Sequence, residues 1–500
     1  MKNGVRFSLI LGILLSSAGL ALAQPDSLWS VTFGGPDQDS LWGMIRTSDG
    51  NYIAVGSKTT ETSADAYLVK FNGRGRLMTH AWFGNDTLRE ELHDVTELAS
   101  GGLASCGVVH TGRNDVRRML IITTDDYGSS ENIFTYGEDG GYDDGYSIIE
   151  TSPTDVAIGG VSYPGNNWQD DFAIRVISSM GDQQGFQHYG DQNVGEYGLD
   201  LIKTNDSSYA MVGQSFVFDD GGEIVSGEMA ILKTTSALAE LWHNSYRVAN
   251  SVTTGNSIIQ TPDSGYVMCG AVGEIDREWG ILGWDCWLIK VDARGDRVWA
   301  QAYDLGRDEW GMQVIPVDSG YVIVGTMGTN NGGVELFNTD AFLLRVNLEG
   351  ERRWSGVYGG RDNDDGLQVI PTRDGGYMIG GNTSTIGAGL TDFWVMQTSP
   401  DPQGVEFGQS SYPLGFVLSS YPNPFNSTTT ISYSVSTPGF VRLGAYDFGG
   451  KLVSEFAAGY RTGGTYHTTW DAKALPSGQY LIRLERAKGV EVVRSVVLIK

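Results

Sequence analysis

The chain has 500 residues with a formal net charge of −26, 40% apolar residues and 11% aromatic residues. This composition excludes a disordered chain, which lacks apolar residues to bury, and the negative charge excludes a nucleic-acid partner, which requires a basic surface. Glycine is frequent, with 69 residues, but no Gly-X-Y period accompanies it, so collagen is also excluded. Such a composition, with 23 Tyr and 13 Trp, predicts an all-β protein of many short strands and tight turns.

Residues 1–23 have the features of a signal peptide. Lys2 and Arg6 precede an apolar run over residues 7–23, and the run ends in an Ala-Leu-Ala sequence that signal peptidase accepts. A membrane anchor is the alternative, but the run is short for a bilayer core of about 30 Å, and no charged segment follows it. We therefore expect export, cleavage after residue 23 and no transmembrane segment in the mature chain.

A short segment ending in glycine recurs seven times in the middle of the chain. The copies are residues 52–56, 103–107, 155–159, 209–213, 266–270, 321–325 and 377–381. Each copy belongs to a set of four strand-like runs, which in the first copy cover residues 42–47, 52–57, 66–71 and 77–83, and Asp-Gly or Asn-Gly turns join two pairs of them. Four strands in each of seven repeats predict a seven-bladed β-propeller over residues 24–400.

The two ends of the repeat region complement each other. An aromatic fourth-strand pattern, such as Trp354 and Tyr358, stands in front of the first repeat as Trp29 and Phe33, and it has no clear counterpart after the last repeat. We therefore expect the N-terminal strand to complete the last blade and so remove an exposed sheet edge. A linear solenoid is the alternative, but it needs capping repeats, and none is visible in the sequence.

The best-formed repeat carries residues 354–360 (WSGVYGG), 372–377 (TRDGGY) and 392–395 (DFWV). It resembles a family of exported bacterial β-propeller-repeat proteins. The resemblance covers residues 28 to about 400, and it implies a fold and an exported location but no particular activity.

The composition changes after residue 400. Residues 401–415 are predicted to be a linker, and residues 416–500 contain seven short alternating runs, which predict a small immunoglobulin-like β-sandwich. The segment 416–500 has 9 Lys and Arg against 5 Asp and Glu, whereas residues 24–415 have a net charge of −32. The acidity therefore belongs to the repeat region.

The tail contains the run Pro422, Asn423, Pro424, Phe425 and Asn426 and ends at Lys500. It resembles the type A C-terminal sorting domain of type IX secretion cargo, which is related to the immunoglobulin-like domain of flagellar hook-capping proteins. Ser427 departs from the family, which usually has proline there. The resemblance implies the type IX machinery as a partner and a secreted or outer-membrane surface location, with the tail either removed or used for attachment. The alternative is a sandwich that only stabilises the protein.

No catalytic motif is present, and the six histidines are scattered, so we predict no catalytic residue. The long connections between the second and third strands and between successive repeats lie at one end of a propeller, where binding functions commonly reside. Aromatic residues in these connections that do not repeat seven-fold form the predicted ligand surface: Tyr163, Trp168, Phe216, Phe218, Trp279, Trp284 and Phe337. The three cysteines are expected to be buried free thiols, with a disulfide between Cys269 and Cys286 as the alternative.

Acidic residues recur at two places of the repeat, at one of them in all seven copies and at the other in several. Those that begin the third strand are expected to accept backbone N–H groups from the preceding loop: Asp65, Asp115, Asp171, Glu228, Asp285, Asp340 and Asp392. Those that follow the fourth strand, among them Asp362, Asp364 and Asp365, are a weak candidate site for Ca²⁺, since the third alternate ligand of a calcium loop is missing. Solvated acidic loops are the favoured interpretation, and no resident cofactor is expected.

Two classes of function remain. The first is a non-enzymatic surface or secreted binding protein that uses the loop end of the propeller. The second is a secreted hydrolase or lyase that acts on an extracellular polymer, with carboxylates of the loop end as general acid and base. The even repeats and the absence of a prominent catalytic cluster favour binding, but the extracellular ligand is not identified by the sequence.

Overall fold

The computed structural model describes residues 24–60, 63–84, 88–111, 116–137, 141–163, 170–190, 194–218, 224–276, 280–330, 336–401, 418–421, 425–435, 439–447, 450–461, 464–486 and 489–499. The predicted signal peptide therefore lies outside the described residues. The described part is all-β, and it contains no helix long and apolar enough to cross a membrane.

Residues 27–398 form seven four-stranded antiparallel sheets, each built from one sequence repeat. The strands of the first three sheets are β2 (Asp39–Arg46), β3 (Tyr52–Thr59), β4 (Ala64–Phe71), β5 (Leu77–Phe83), β6 (Arg89–Glu97), β7 (Leu103–Thr111), β8 (Val116–Thr124), β9 (Ser130–Tyr136), β10 (Asp143–Ser152), β11 (Asp155–Ser162), β12 (Asp171–Ser178) and β13 (Gln183–Tyr189). The next three contain β14 (Val194–Lys203), β15 (Tyr209–Phe218), β16 (Ile224–Thr234), β17 (Glu240–Tyr246), β18 (Ser251–Gln260), β19 (Tyr266–Asp276), β20 (Gly280–Val291), β21 (Arg297–Tyr303), β22 (Asp308–Val317), β23 (Gly320–Asn330), β24 (Leu336–Asn347) and β25 (Arg352–Tyr358).

The seventh sheet combines the two ends of the repeat region. Its strands are β26 (Asp364–Pro371), β27 (Tyr377–Thr383), β28 (Asp392–Thr398) and, at the edge, the N-terminal strand β1 (Ser27–Phe33). β1 runs antiparallel to β28, with Ser27 opposite Thr398 and Phe33 opposite Phe393. This is the pairing that the aromatic pattern before the first repeat predicts.

Each sheet packs face to face on the next one in sequence, and β26, β27 and β28 pack on β2. The innermost strands of neighbouring sheets lie side by side, from β2 next to β6 through to β26 next to β2. The core lies between the sheets: Phe33, Leu41, Met378 and Phe393, for example, form one buried cluster across the seventh and first sheets. Repeated four-stranded sheets packed in this way are consistent with a β-propeller.

A tyrosine at the end of the fourth strand connects each of five sheets to its neighbour. In four sheets its hydroxyl donates a hydrogen bond to a carbonyl in the third-to-fourth-strand turn of the next sheet, as Tyr303 does to Gly350 at 2.6 Å. In the sixth sheet Tyr358 donates instead to the carbonyl of Pro25, 2.8 Å away and just before β1. The segment before β1 therefore fills the place of that turn in the seventh sheet.

The three cysteines are buried in the sheets and are free thiols. Cys269 pairs with Leu288 across β19 and β20, while Cys286 pairs with Ala271, so the two cysteines are offset by two positions along the strands. The free-thiol interpretation therefore agrees with the structure.

The innermost strand of every sheet has an irregularity in register near its centre. In β6 it falls between Leu92 and Asp94, where one extra residue, His93, is accommodated. The following Asp94 carboxylate accepts hydrogen bonds from the N–H groups of Val95 at 2.8 Å and Ile148 at 2.9 Å. Burial, reinforced by the charge of Asp200, raises the pKa of Asp94 to about 7.

The raised pKa of Asp94 predicts a pH-dependent stability. Because the folded state holds this proton more tightly than the unfolded state, its contribution is complete at acidic pH and is lost as the pH rises through 7. We expect the free energy of unfolding to be lower at pH 8 than at pH 5.5, and Asp94→Asn to reduce this difference by about 1–2 kcal/mol. Urea denaturation of both proteins at the two pH values measures the effect, and an unchanged difference in the variant would contradict it.

The C-terminal part contains two further sheets. One consists of β29 (Leu418–Tyr421), β30 (Thr428–Val435) and β33 (Gly464–Asp471), and the other of β31 (Gly439–Tyr446), β32 (Leu452–Arg461), β34 (Gly478–Arg486) and β35 (Gly489–Leu498). A single buried cluster lies among them, with Trp470 contacting the rings of Phe425, Phe456 and Tyr480. The strand content agrees with the alternating runs of the sequence.

Candidate binding surface at the loop end of the sheets

The two ends of each repeat-region sheet differ in their connections. At one end the first and second strands, and the third and fourth strands, are joined by tight turns, such as the turn at Gly50 with its φ of +84°. At the other end lie the connections from the second to the third strand and from one sheet to the next, and of these only the connections after β11 and β27, with eight residues each, are much longer than the turns. The sequence predicts long connections in every repeat, but the second and third strands extend into most of them. We call this second end the loop end, and its side chains vary from sheet to sheet.

A polar cluster forms where the second, third and fourth sheets meet the loop end. Arg117, near the start of β8, donates a hydrogen bond to the carboxylate of Asp144, near the start of β10, at 2.6 Å. The guanidinium also lies over the ring of Tyr142, 4.8 Å from its centroid. Burial raises the pKa of Asp144, although the positive charge of Arg117 acts in the opposite direction.

Aromatic and acidic side chains extend this cluster along the inner strands. His93 stacks on Tyr146 with ring centroids 4.8 Å apart and an interplanar angle of 5°, and the Tyr146 hydroxyl donates to Asp144 at 3.4 Å. Glu91 lies 3.9 Å from His93 and accepts a short hydrogen bond from Arg89. Burial acts to raise the pKa of Glu91, but the hydrogen bonds and charges of His93 and Arg89 lower it overall.

We call Glu91, His93, Arg117, Asp144 and Tyr146 the Arg117 cluster. It brings a guanidinium, an imidazole, a phenol and two carboxylates together at the loop end, from three neighbouring strands. The bulge in β6 contributes directly, because it turns His93 towards Tyr146 of the next sheet. The two carboxylates are buried, whereas Arg117 is partly exposed, so the set can offer N–H donors and an aromatic face to a polar ligand.

The fourth sheet adds a second pair beside the Arg117 cluster. Tyr197, near the start of β14, donates a short hydrogen bond to the carboxylate of Asp170 and packs edge-on against Phe216. Burial and the negative charge of Asp170 raise the pKa of Tyr197. The Tyr197 hydroxyl is therefore protonated and held in place at neutral pH.

The predicted ligand-binding aromatics have different locations. Tyr163 lies at the loop end with its ring 5.4 Å from that of Tyr142, and Phe216 packs on Tyr197 as stated. Trp284 is buried against Trp310 instead, so it does not belong to the exposed loop surface. Trp168 and Trp279, and the side chains of Phe218 and Phe337, lie outside the described residues.

The acids at the start of the third strands have different described side-chain partners. Asp392 accepts the N–H groups of Ala388 and Gly389, as the sequence predicts. Asp171 instead contacts His188, Asp340 contacts Arg307 and Glu228 contacts Arg247, while Asp115 lies outside the described residues. Much of the loop before each of these acids lies outside the described residues, so the predicted acceptance of loop N–H groups stays a prediction for them.

The acidic group proposed from the sequence as a weak metal site is spread over different environments. Asp364 is buried and accepts hydrogen bonds from the N–H of Gly360 and the hydroxyls of Thr383 and Thr385. Asp365 is partly buried, and burial raises its pKa, whereas Asp362 is exposed. Both oxygens of Asp364 therefore already have donors, and metal binding by this group stays a prediction.

The sorting motif of the tail is partly described. Phe425 is buried, and its backbone exchanges hydrogen bonds with Val497 and Ile499 of the last strand region, while Asn426 is exposed. Residues 422–424 and Lys500 lie outside the described residues. The motif is thus anchored beside the C-terminal strand through Phe425.

Residues 419–499 match the family described as secretion system C-terminal sorting domain. The chain therefore carries a C-terminal type IX secretion sorting domain, as its sequence predicts, and it is an exported bacterial protein, secreted or held at the cell surface. The domain implies interaction with the type IX secretion machinery. No curated protein sequence matches the chain.

Several solved structures resemble the repeat region at low identity. An ulvan lyase that represents a new family of polysaccharide lyase has a TM-score of 0.49 at 9% identity, covering 74% of this chain and 97% of its own. The polysaccharide lyase Uly1 has a TM-score of 0.44 at 10% identity, covering 74% and 91%. Extracellular domains 1–2 of Drosophila Semaphorin 1b have a TM-score of 0.42 at 8% identity, covering 76% and 88%. None of these likenesses assigns an activity to this chain.

Proposed function

We propose that residues 24–400 form a closed seven-bladed β-propeller whose loop end binds an extracellular ligand, and that residues 416–500 form an immunoglobulin-like sandwich that directs type IX secretion. Closure is supported by the pairing of β1 with β28 and by the contact of β26 with β2. Cleavage of a signal peptide at residue 23 is part of the proposal. The protein is then a binding module at the surface of the cell or in its surroundings.

The observation that carries the binding proposal is the Arg117 cluster. Its members come from three strands of the second and third sheets, and this combination of side chains occurs once, although Asp365 of the seventh sheet stands at the same repeat position as Glu91 and Asp144. A scaffold role would be expected to repeat with the scaffold, whereas a site for one ligand occurs once. Rigid sheets that hold variable side chains at one end are the usual basis of a binding surface.

The chemistry of the cluster indicates a polar polymer such as a glycan or a peptide. The partly exposed guanidinium of Arg117 provides N–H donors, and the stacked rings of His93 and Tyr146 provide an aromatic face. The buried carboxylates of Asp144 and Glu91 hold Arg117 and His93 in place. Tyr146 lies beside the carboxylate of Asp144, whose pKa is raised. The same groups therefore also suit acid–base chemistry. A hydrolase or lyase acting on an extracellular polymer is therefore the second candidate.

We expect a single class of glycan or peptide polymer to bind the mature chain, and Arg117→Ala to weaken that binding at least tenfold. The loss of charge-assisted hydrogen bonds to the ligand is the physical reason. A polymer array followed by calorimetric titration of the best ligand measures the affinity, and reducing-end and absorbance assays on the same polymers measure turnover.

Arg294→Ala is the matched control, since Arg294 is exposed in the tight turn between β20 and β21 at the opposite end. Thermal melts of both variants separate lost binding from lost folding. Binding that is unaffected by Arg117→Ala would contradict the proposed site. Turnover of the bound polymer would replace the binding function by the enzymatic one.

A further inference from the structure

The residue that follows the aromatic end of the fourth strand is glycine in five of the seven repeats. A carbon atom added there would collide with the acid that begins a third strand, at 2.0–2.6 Å from a carboxylate oxygen in four of them. These pairs are Gly34 with Asp392, Gly84 with Asp65, Gly190 with Asp171, and Gly359 with Asp340. In these repeats the absence of a side chain on glycine lets the carboxylate approach the backbone closely.

Two repeats carry a charged side chain in place of this glycine. Arg247 occupies the position in one, and its guanidinium lies 3.4 Å from the carboxylate of Glu228, so the charges are complementary. Asp304 occupies it in the other and adds a third negative charge beside Asp285 and Glu309. Among the described residues Asp304 has no ion-pair partner, and its Oδ1 accepts a hydrogen bond from the N–H of Gly306 at 2.7 Å.

The carboxylates of Asp285, Asp304 and Glu309 converge, with one oxygen from each lying within 4.8 Å of the others. They are the one such group of three acidic, histidine or cysteine ligands in the part of the chain that the structure describes. Asp304 is exposed and Asp285 is partly buried, so the group opens to solvent, whereas Glu309 has an exposed fraction of 0%.

Glu309 lacks a partner for one of its oxygens. Oε1 accepts a hydrogen bond from the N–H of Arg307 at 2.8 Å, while Oε2 is buried without a hydrogen-bond partner among the described residues. The neighbouring Arg307 guanidinium is directed to Asp340 instead, at 2.8 Å. Burial raises the pKa of Glu309 to about 7; the backbone N–H groups of Arg307 and Leu305 oppose this shift, and the charges of Asp285 and Asp304 add to it.

We propose that Asp285, Asp304 and Glu309 bind a Ca²⁺ ion at the loop end, between the fifth and sixth sheets. The donors are all carboxylate oxygens, which hard cations prefer, and three negative charges in one place repel each other unless a cation lies between them. The buried unpartnered oxygen of Glu309 supplies an inner ligand, and solvent on the side of Asp304 can supply water ligands. Calcium suits this arrangement because it accepts irregular coordination, whereas Mg²⁺ demands near-ideal octahedral geometry.

The test is calorimetric titration and thermal melting of the mature chain with CaCl₂ and, separately, MgCl₂, at an ionic strength of about 0.15 M to limit general screening. We expect one Ca²⁺ to bind with a Kd of about 1 mM or tighter, the range of extracellular calcium modules. Ca²⁺ should raise the melting temperature more than Mg²⁺ does. Asp304→Gly restores the residue of the other repeats and should weaken Ca²⁺ binding at least tenfold.

Two further variants keep the outcome interpretable. Glu349→Gln removes one exposed negative charge far from the cluster along the chain, so it should leave Ca²⁺ binding unchanged. Glu309→Gln retains an acceptor for the Arg307 N–H but removes the buried charge. In the presence of a chelator its melting temperature should therefore be higher than that of the unaltered protein. Its melting temperature should no longer change when Ca²⁺ is added. The proposal is overturned if Asp304→Gly and Glu349→Gln bind Ca²⁺ equally, or if both cations give equal shifts.

Discussion

Truncation of the chain after residue 415 is expected to retain the protein in the periplasm of a host that has a type IX secretion system. The sorting domain over residues 419–499 is the part that addresses this machinery, whereas the seven sheets of the repeat region are built without any residue beyond 398. The truncated chain should therefore fold and still be stopped before the outer membrane. Fractionation of the cells followed by immunoblotting measures the change, and near-complete loss of surface or secreted protein is the expected result.

Two point variants of the full chain separate recognition from folding of the tail. Asn426→Ala changes an exposed residue of the sorting motif and should reduce delivery without unfolding the tail. Trp470→Ala removes the centre of the buried tail cluster and should unfold the tail, at a cost of about 3–5 kcal/mol. Normal delivery of the truncated chain would show that the tail only stabilises the protein.

Deletion of residues 24–35 is expected to destabilise the whole repeat region rather than one edge of it. The deletion removes β1 and exposes the edge of β28, and it takes Phe33 from the cluster that joins the seventh sheet to the first. It also removes the carbonyl of Pro25, the acceptor for the Tyr358 hydroxyl. We expect a fall in melting temperature of more than about 10 °C, since a loss of 1 kcal/mol lowers it by about 2–4 °C in domains of 150–250 residues.

A pair of substitutions in β1 gives the graded version of this experiment. Phe33→Ala removes a buried ring and should cost about 3–5 kcal/mol. Leu28→Ala alters a side chain of the same strand that is 54% exposed, so its effect should stay within about 0.5 kcal/mol. Calorimetric melting and urea titration of both variants measure these values, and a deletion that leaves the melting temperature unchanged would exclude a role for β1 in closing the ring.

The repeat pattern predicts most of the fold because each copy specifies the same strands and turns. Alternating apolar residues and Gly-containing turns determine the four strands of a sheet, and the displaced aromatic motif at Trp29 and Phe33 locates the partner of β28. The sorting domain is likewise predicted from a short motif, residues 422–426. These features depend on residues that are close in sequence or repeated along it.

The candidate site could not be predicted in the same way. His93 meets Tyr146 only because a bulge in β6 places it beside the next sheet, and neither residue belongs to a motif. Trp284 was expected at the surface from its place in a long connection, but it is buried on Trp310. Asp304, by contrast, could have been found in the sequence, since aligning the repeats places it where five of them have glycine.

The pairing of β1 with β28 has a consequence for the order in which the chain folds. Six sheets can each form from one continuous segment as it emerges, but the seventh joins Ser27 to Thr398 and must wait for nearly the whole repeat region. This pairing, which completes the proposed ring, is thus the most non-local step and the slowest to be expected from topology. Until it occurs, the emerging β28 presents an unpaired edge that could pair with another chain. The N-terminal strand therefore ends the exposure of this edge only at the last step, and the intermediate before that step is the species most prone to aggregate.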